Sequence, residues 1–460
     1  MSDTAAAPVD VGAMLRSKDY LRLLALSGAI GFVVALAAWC FLTVVPWIQN
    51  TVFLEIPAAL GFDQAPWWWP LPVLAIAGVI TAVVIVKVPG GGGRPPAEGL
   101  GGGGLTQPRA LPGIVLAGLT TLGLGLVLGP SSPVIAIGMG LSLWLFRLVK
   151  KDAPNQVQSM IAAAGSFASF SMVFSSPLIA AIILIEAIGL GGATLPLVVL
   201  PGLLGAAIGS VVYLGLGYVT GLSTDAYALN PLNLPAMGEL TVVEICWTVL
   251  VAAVAAVACF LIFQCGRTVE RFVAKRPMVI VPIAGLVVAG LAVGYAAITG
   301  QPAYTVLFSG SKALAPVVEQ GTSLAVATIA LLYLFKGVAW SVSLGSFRGG
   351  PVFPAIFMGG VGGVLASNLP GFPLGAAVPA VMAATIAGAL RLPLASVLIT
   401  LLLNASAGAA IAPLAIIGMV VSYLIVTRLA AHRGGPHTAT TPPGDQPSRA
   451  GVAPPAEPTG

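Results

Sequence analysis

The sequence predicts an all-α polytopic membrane protein with broken helices, and three observations support this fold class. Of the 460 residues, 58% are hydrophobic and 8% are charged, whereas about 25% of the residues of a soluble domain carry a charge. Ten charge-poor segments approach or exceed the length of about 20 residues that a membrane helix needs. Short breaks rich in Gly and Pro interrupt them, and lipid tolerates open backbone only where protein buries it or a cavity solvates it. We therefore expect function at the breaks.

The predicted spans follow one another closely along the chain. They cover residues 20–47, 67–88, 110–128, 159–189, 193–216, 241–263, 277–298, 322–346, 373–390 and 392–427. The first span lacks the short apolar region and cleavage site of a removable signal peptide, so we expect the mature chain to keep its start.

Basic residues cluster before the first span, in the middle of the chain and after the last span. They are Arg16, Lys18 and Arg22; Arg267, Arg271, Lys275 and Arg276; and Arg428 and Arg433. Basic flanks favour the cytoplasmic side, so we expect two cytoplasmic termini and an even number of crossings. Topology also explains the net charge of +5 better than nucleic-acid binding does.

One membrane domain accounts for most of the chain. We expect a disordered cytoplasmic arm at 1–15, the membrane domain at 16–430 and a disordered cytoplasmic tail, rich in Pro, Gly and Thr, at 431–460. The middle basic cluster and an interrupted apolar region in each half indicate two inverted repeats, about 16–235 and 236–430.

Metal, disulfide and enzyme chemistry find no support in the sequence. The four cysteines lie in or beside apolar runs without metal-ligand spacing, and both histidines lie in the tail. The spans hold no Ser–His pair and no set of paired acids. We expect neither an enzyme nor a cofactor.

Three breaks each contain proline at a position that suits the start of a helix. They are PGGGGRPPAEG at 89–99, GPSSPV at 129–134 and FRGGPVFP at 347–354. In the second break, we expect one helix to end near Gly129 and another, with Pro133 in its first turn, to run through Phe146. Pro95 and Pro96 in the first break, and Pro351 and Pro354 in the third, suggest the same arrangement.

Three helix N-termini could therefore converge within the membrane. Each presents unpaired N–H groups and about half an elementary positive charge, so together they can hold an anion without a Lys or Arg. Glycines 90–93 would let backbone amides approach the ion, although a glycine run alone is more typical of a flexible surface loop between two spans. Ser131 and Ser132 could donate hydrogen bonds to the anion or to neighbouring backbone.

These stretches, in this order, resemble the CLC family of chloride channels and chloride/proton antiporters. GGGGRPPAEG (90–99) resembles the family's GSGIPE region, LVLGPSSPVIAIG (126–138) its GREGP region and RGGPVFPAIFMGG (348–360) its GxFxP region. Residues 162–186 are similar to the segment that ends in the family's internal acidic pair. The resemblance implies inverted halves of tilted and partial helices, cytoplasmic termini and a homodimer with one pore per subunit.

The departures from the family pattern concern proton transfer and the pore. The GREGP glutamate falls on Ser131 and its arginine on Pro130, while the inner proton glutamate falls on Ala187 beside Glu186. The GSGIP serine falls on Gly92, the GxFxP phenylalanine on Val352 and the pore tyrosine on Gly408. The residues that we expect to line the anion pathway are Gly91, Gly92, Gly93, Ser131, Ser132, Gly350, Val352, Phe353 and Gly408.

The predicted function is passive conduction of chloride or a similar small anion, because proton coupling needs a titratable relay. Only Glu186 is a convincing acid within a span, and we expect it to be paired or hydrogen-bonded. Two alternatives remain: an anion transporter coupled to protons by another route, and a non-conducting membrane scaffold. The expected partners are a small anion, membrane lipid and a second copy of the chain, in the plasma membrane.

Four charged residues lie within or beside the breaks and spans: Arg94, Lys336, Arg348 and Arg391. Arg94 and Arg348 adjoin breaks, where they could draw anions into a vestibule or bond backbone carbonyls. For Lys336 and Arg391 we favour snorkelling or bonds to carbonyls.

Overall fold

The computed structural model describes residues 12, 15–100, 104–150, 154–174, 176–189, 195–222 and 231–432. The predicted tail, apart from residues 431 and 432, and nearly all of the predicted arm lie outside the described residues. Within those ranges the protein is helical, and the only β pairing is one isolated antiparallel bridge between Gly129 and Gly350. The all-α prediction is confirmed.

Seven helices form the first part of the chain. They are α1 (Lys18–Asn50, continued through Thr51–Glu55 and Ile56–Ala59), α2 (Pro70–Lys87), α3 (Leu111–Gly123), α4 (Ser131–Val149), α5 (Asn155–Ser171), α6 (Pro177–Ile188) and α7 (Leu195–Thr220).

Eight helices form the second part. They are α8 (Val242–Lys275), α9 (Pro277–Thr299), α10 (Ser311–Gln320), α11 (Val326–Ser346), α12 (Val352–Ala366), α13 (Leu374–Leu390), α14 (Pro393–Leu403) and α15 (Ile411–Ala431). In the described part of the chain, eight helices are long and apolar enough to cross a membrane, and α6, α12, α13 and α14 are shorter apolar helices.

The same helix contacts occur in both parts of the chain. Helix α5 packs on α1, α4, α6 and α7, and α13 packs in the same way on α8, α12, α14 and α15. The sequences match as well, because α4 and α12 begin at GPSSP and GPVFP, and α6 and α14 begin at PLIA and PLAS. An internal repeat thus underlies the bundle.

Two predicted spans are wrong because each is two helices. The segment 159–189 breaks at Ser176, whose side chain accepts a hydrogen bond from Ile179 N–H and caps α6. Pro177 is the first residue of α6, and a proline there favours the start of a new helix over continuation of the preceding one. The segment 392–427 breaks at 404–410, where Gly408 has φ +90°.

Two predicted helix ends are also wrong at the breaks. Helix α3 ends at Gly123, not near Gly129, because Gly125 has φ +98° and the chain continues without helix to the bridge at Gly129. Pro96 starts only a three-residue 3-10 turn, Pro96–Glu98, so the first break contributes no helix N-terminus. A site built from three N-termini therefore reduces to two.

Candidate functional site

Two breaks meet at the bridge between Gly129 and Gly350. Gly129 N–H donates to Gly350 O at 2.8 Å, and Gly350 N–H donates to Gly129 O at 2.6 Å. Helix α4 begins two residues after Gly129, and α12 begins two residues after Gly350. The bridge therefore brings the N-termini of α4 and α12 together inside the protein.

Each of these helices begins with the same pattern, Gly-Pro-x-x-Pro. Pro130 (φ −78°, ψ −6°) and Pro351 (φ −83°, ψ −8°) occupy the N-cap positions in nearly the same conformation. Proline has no N–H, so the prolines remove donors at the N-cap and the third helical position. The first helical donors with a backbone acceptor are Val134, on Pro130 O, and Ala355, on Pro351 O. In α4, the residues between the N-cap and Val134 therefore supply the free donors of the N-terminus.

On α4 these donors belong to Ser131 and Ser132, whose N–H groups have no acceptor among the described residues. Ser131 is fully buried, and its Oγ has no hydrogen-bond partner there. A buried polar group left unpaired costs about 1–3 kcal/mol. Ser131 therefore offers an unused hydroxyl at a helix N-terminus, which is the chemistry that a dehydrated anion requires.

Gly350 makes this arrangement possible. A β-carbon at Gly350 would collide with Ser131 Oγ and would lie 2.9 Å from Ser132 N. Gly129 is restricted in a similar way, because its β-carbon would lie 2.9 Å from Cδ2 of Phe353. The two bridge positions thus accept only glycine without movement of the helix starts.

Buried aromatic rings cover the start of α12. The ring of Phe353 stacks on that of Phe174, with centroids 5.5 Å apart and planes at 7°, and Phe174 meets Phe170 edge-on at 5.2 Å. Val352 is fully buried. The sequence analysis missed Phe170 and Phe174 because they lie in what was predicted to be the interior of one span.

Glycines 90–93 form a packed loop and not a loose surface connection. All four have positive φ, between 56° and 95°, and β-carbons at Gly90 and Gly92 would meet Ala110 and Ala117 of the region around α3. Arg348 Nε donates to Gly91 O at 3.2 Å. The loop therefore reaches the bridge region through Arg348, two residues before Gly350.

Gly408 is not brought to the bridge. It lies in the exposed loop between α14 and α15, and no heavy atom lies within 4 Å of the position of its β-carbon. This loop pairs instead with residues 232–237, through Met237 N–H on Ala407 O and Ser406 Oγ on Leu232 O. The expectation that Gly408 lines the pathway is not supported by this position.

Glu186 connects the two halves. Its carboxylate oxygens accept hydrogen bonds from the N–H groups of Leu394 at 2.7 Å and Ala395 at 2.8 Å, at the start of α14. The expectation that Glu186 is hydrogen-bonded is confirmed. A carboxylate at a helix N-terminus is favourable electrostatically as well as by hydrogen bonding, which explains an acid at this depth without a transport role.

Lys336 also bonds the backbone. Its Nζ is fully buried and donates to the carbonyls of Thr305, Val306 and Leu307 at 2.9, 3.1 and 2.9 Å. The ammonium lies 4.3 Å from the centroid of the Phe357 ring. The interpretation of Lys336 as a cation bound by carbonyls is confirmed.

The comparison with known families agrees with this geometry. A model described as voltage gated chloride channel matches residues 90–427, which include both breaks at the bridge. The chain belongs to the voltage gated chloride channel family. Anion transport is the activity of this family. Family membership and the long apolar helices together make this chain a multi-pass integral membrane protein.

Similar proteins include a bacterial relative and two solved structures. "Putative ion-transport protein YfeO" of Escherichia coli O7:K1 is 26% identical over 362 residues, which are 78% of this chain and 82% of that protein. A slow cyanobacterial Cl⁻/H⁺ antiporter has a similar structure, with a TM-score of 0.69 at 18% identity over 89% of this chain and 95% of that one. For a CLC-type fluoride/proton antiporter, the TM-score is 0.65 at 18% identity, over 89% and 96%. At these identities, the structures show the fold of this family member and not its coupling.

Proposed function

We propose that this family member is a passive anion channel in which the N-termini of α4 and α12 hold the ion beside the Gly129–Gly350 bridge. The observation that carries the proposal is the buried, unpartnered hydroxyl of Ser131 at the first helical position of α4. Ser131 and Ser132 would bind the anion, Gly350 would leave room for the Ser131 side chain, and Val352 and Phe353 would form the second wall of the site. Glycines 91–93 would line the approach.

This proposal excludes proton coupling because of where the acidic side chains lie. Ser131 cannot exchange a proton near neutral pH, whereas a carboxylate at this position could both occupy the site and carry a proton. Glu186 is held by two N–H groups at α14, and Glu244 is part of the capping box at the start of α8. Coupled transport needs a titratable relay at membrane depth, and these acids have other partners.

Coupled transport remains the second candidate, because two further acids lie near the breaks: Glu98 pairs with Arg94 after the glycine loop, and the backbone of Glu270 packs on Gly345 of α11. Liposome flux separates the candidates. Vesicles with purified protein, internal potassium chloride and valinomycin should release chloride without a proton ionophore and without a change in internal pH. Proton movement against its gradient, at a fixed ratio to chloride, would contradict the passive channel. A lack of chloride release beyond that of protein-free vesicles would contradict conduction itself.

We further propose a homodimer in the plasma membrane with cytoplasmic termini. Large apolar side chains remain exposed on α6 and α14 (Leu178 at 56%, Leu394 at 69% and Leu402 at 43%), beside the Glu186 contact. A second copy would cover them in the manner that the family resemblance implies. Stepwise photobleaching of labelled protein at high lipid dilution tests the dimer, which predicts two steps per particle.

A further inference from the structure

Helices α8, α13 and α15 pack against one another near the end of α13. Gly388 of α13 lies between the other two, because the position of its β-carbon is 3.2 Å from Cβ of Cys259 on α8 and 2.9 Å from Oγ of Ser422 on α15. These three residues therefore mark a common level in the three helices.

The three helices run in the same direction. On α8, Trp247 comes before the common level, and its Nε1 donates to the carbonyl of Pro370, which precedes α13. On α15, Gly418 also comes before that level, and it packs on the carbonyl of Ala380, an earlier residue of α13. The residues that follow the common level on all three helices therefore lie on one side of the molecule.

Two arginines and a tyrosine follow the common level closely. Arg391 comes three residues after it and Arg267 eight residues after it, which is about 5 Å and 12 Å along the helix axes. Helical side chains lean toward the N-terminus, so Arg267 reaches back toward Arg391. In agreement with this placement, Arg267 and Tyr423 are the ionisable groups that act electrostatically on Arg391.

The two guanidinium groups lack partners. Both side chains are half-buried, and neither has a hydrogen bond or an ion pair in the part of the chain that the structure describes. Of the nearby acids, Glu186 bonds the start of α14, and Glu270 is not within ion-pair distance of either arginine. Partly desolvated like charges are costly unless an opposite charge compensates them. The described residues supply no such charge.

Arg391 also stands at a position that suits glycine. It is the C-cap of α13 and has the left-handed conformation, with φ +58° and ψ +37°. Glycine takes this conformation without steric cost and commonly follows the end of a helix. No carbonyl among the described residues accepts from the guanidinium, so carbonyl bonds do not explain the arginine. The local structure thus gives no reason for a cation here.

Apolar surface adjoins the arginines on the side toward the membrane centre. Arg267 ends the long uncharged run of α8 that follows Glu244, so it lies where a span reaches the lipid headgroups. Before it on α8, Leu261 is exposed, and Leu424 is exposed on α15. Acyl chains can cover these side chains while the headgroup meets the arginines. Such a surface fits a phospholipid better than a free ion.

We propose that Arg267, Arg391 and Tyr423 bind the phosphate group of an anionic phospholipid such as phosphatidylglycerol. The planar donors of a guanidinium match two phosphate oxygens, and the Tyr423 hydroxyl can donate to a third. Basic pockets between membrane helices recognise anionic headgroups in this way. Phosphatidylcholine has the same phosphate, but its own ammonium group opposes the arginines. This lipid site goes beyond the proposed conduction and does not depend on it.

Thermal unfolding of the purified protein in maltoside micelles tests the lipid site. Increasing mole fractions of phosphatidylglycerol should raise the unfolding midpoint to a plateau. Phosphatidylcholine with the same acyl chains should not raise it, and neither should inorganic phosphate at the same concentration and ionic strength.

Arg391→Gly is the informative variant because glycine suits the backbone at this position. Without lipid, its midpoint should equal or exceed that of the wild type, whereas a structural arginine would lower it on removal. The half-saturating mole fraction of phosphatidylglycerol should rise about tenfold, and Arg267→Gln should give the same shift. Lys275→Gln, which removes an exposed cation at the end of α8, should keep the wild-type value.

The wild-type lipid comparison decides the proposal even if a variant does not fold. A midpoint that ignores phosphatidylglycerol, or that rises equally with phosphatidylcholine, overturns the site, and an equal rise with inorganic phosphate would assign it to a free anion. An unchanged half-saturation in Arg391→Gly, or an equal loss in Lys275→Gln, would reduce it to diffuse surface charge. Chloride flux enters none of these measurements, so failure of the proposed channel would leave the lipid site standing.

Discussion

Ser131 Oγ of α4 occupies the space that a β-carbon on Gly350 of the other half would need. The contact joins residues more than 200 positions apart, next to the paired backbone of Gly129 and Gly350. Both sides of the proposed anion site therefore depend on one glycine.

Gly350→Ala should lower chloride flux per folded protein at least tenfold, because the new methyl group collides with Ser131 Oγ and crowds Ser132 N. Gly290→Ala is the matched control, since a β-carbon there meets nothing within 4 Å. Liposome efflux, normalised to the protein that elutes as a monodisperse peak, checks both variants. Equal flux from the two would place the pathway elsewhere.

Ser131→Glu should make chloride flux depend on pH in a defined direction. Near pH 7 the carboxylate is ionised and competes with the anion for the α4 N-terminus, so flux should fall. Below the ordinary glutamate pKa of about 4.3 the side chain becomes neutral, so flux should recover as the pH falls from 7 to 4. Efflux in liposomes buffered across this range measures the change. Wild-type flux should vary little, and a pH-independent variant would mean that the residue at 131 does not face the ion.

Ser131→Ala should weaken anion binding and leave the fold intact. The hydroxyl has no partner among the described residues, so its removal orphans no protein group. The loss of one donor to a charged ligand should raise the half-saturating chloride concentration about tenfold, from a contribution of about 1.5 kcal/mol. Chloride titration by isothermal calorimetry gives this value, with Ser210→Ala as the control because Ser210 Oγ is also buried and unpaired but lies on α7. An unchanged affinity in Ser131→Ala would rule out the hydroxyl as a ligand.

Glu186→Gln should destabilise the protein by about 1–3 kcal/mol, because two N–H groups of α14 lose a charged acceptor. Chloride flux per folded molecule should not change, since Glu186 has a structural role in the proposed channel. Chemical unfolding in detergent and liposome efflux give the two values, and the exposed Glu239→Gln serves as control. Lost flux at normal stability would instead favour proton-coupled transport.

Lys336→Met should cost at least about 3 kcal/mol of stability, because it leaves three buried carbonyls without their common donor and removes the cation from the Phe357 ring. The exposed Lys87→Met should be nearly neutral. Chemical unfolding compares them. Similar midpoints would show that water replaces the ammonium.

Local sequence signals predicted part of this molecule. Composition gave the fold class, and Pro133 and Pro354 correctly marked the starts of two helices, because proline restricts the first turn wherever the helix lies. The break at Ser176 and Pro177 has a similar signal, a capping serine before a proline. It was not predicted because a continuous apolar run surrounds it. Helix N-termini were thus predictable one at a time.

Tertiary contacts account for what the sequence could not predict. Pro96 has the same local signal as Pro133 but is followed by a 3-10 turn and a glycine with φ +88°, so local preference alone could not distinguish them. The partners of Glu186 and Arg348 lie 208 and 257 positions away. No periodicity along one chain reports such pairs, and the exposed position of Gly408 could not be predicted for the same reason.

The paired backbone at Gly129 and Gly350 has a consequence for how the molecule is divided. A polypeptide that stopped before residue 236 would contain Gly129 but not Gly350, so it could form the bridge only with a second chain. Separating the repeats would therefore remove one side of the proposed anion site even if every helix kept its shape.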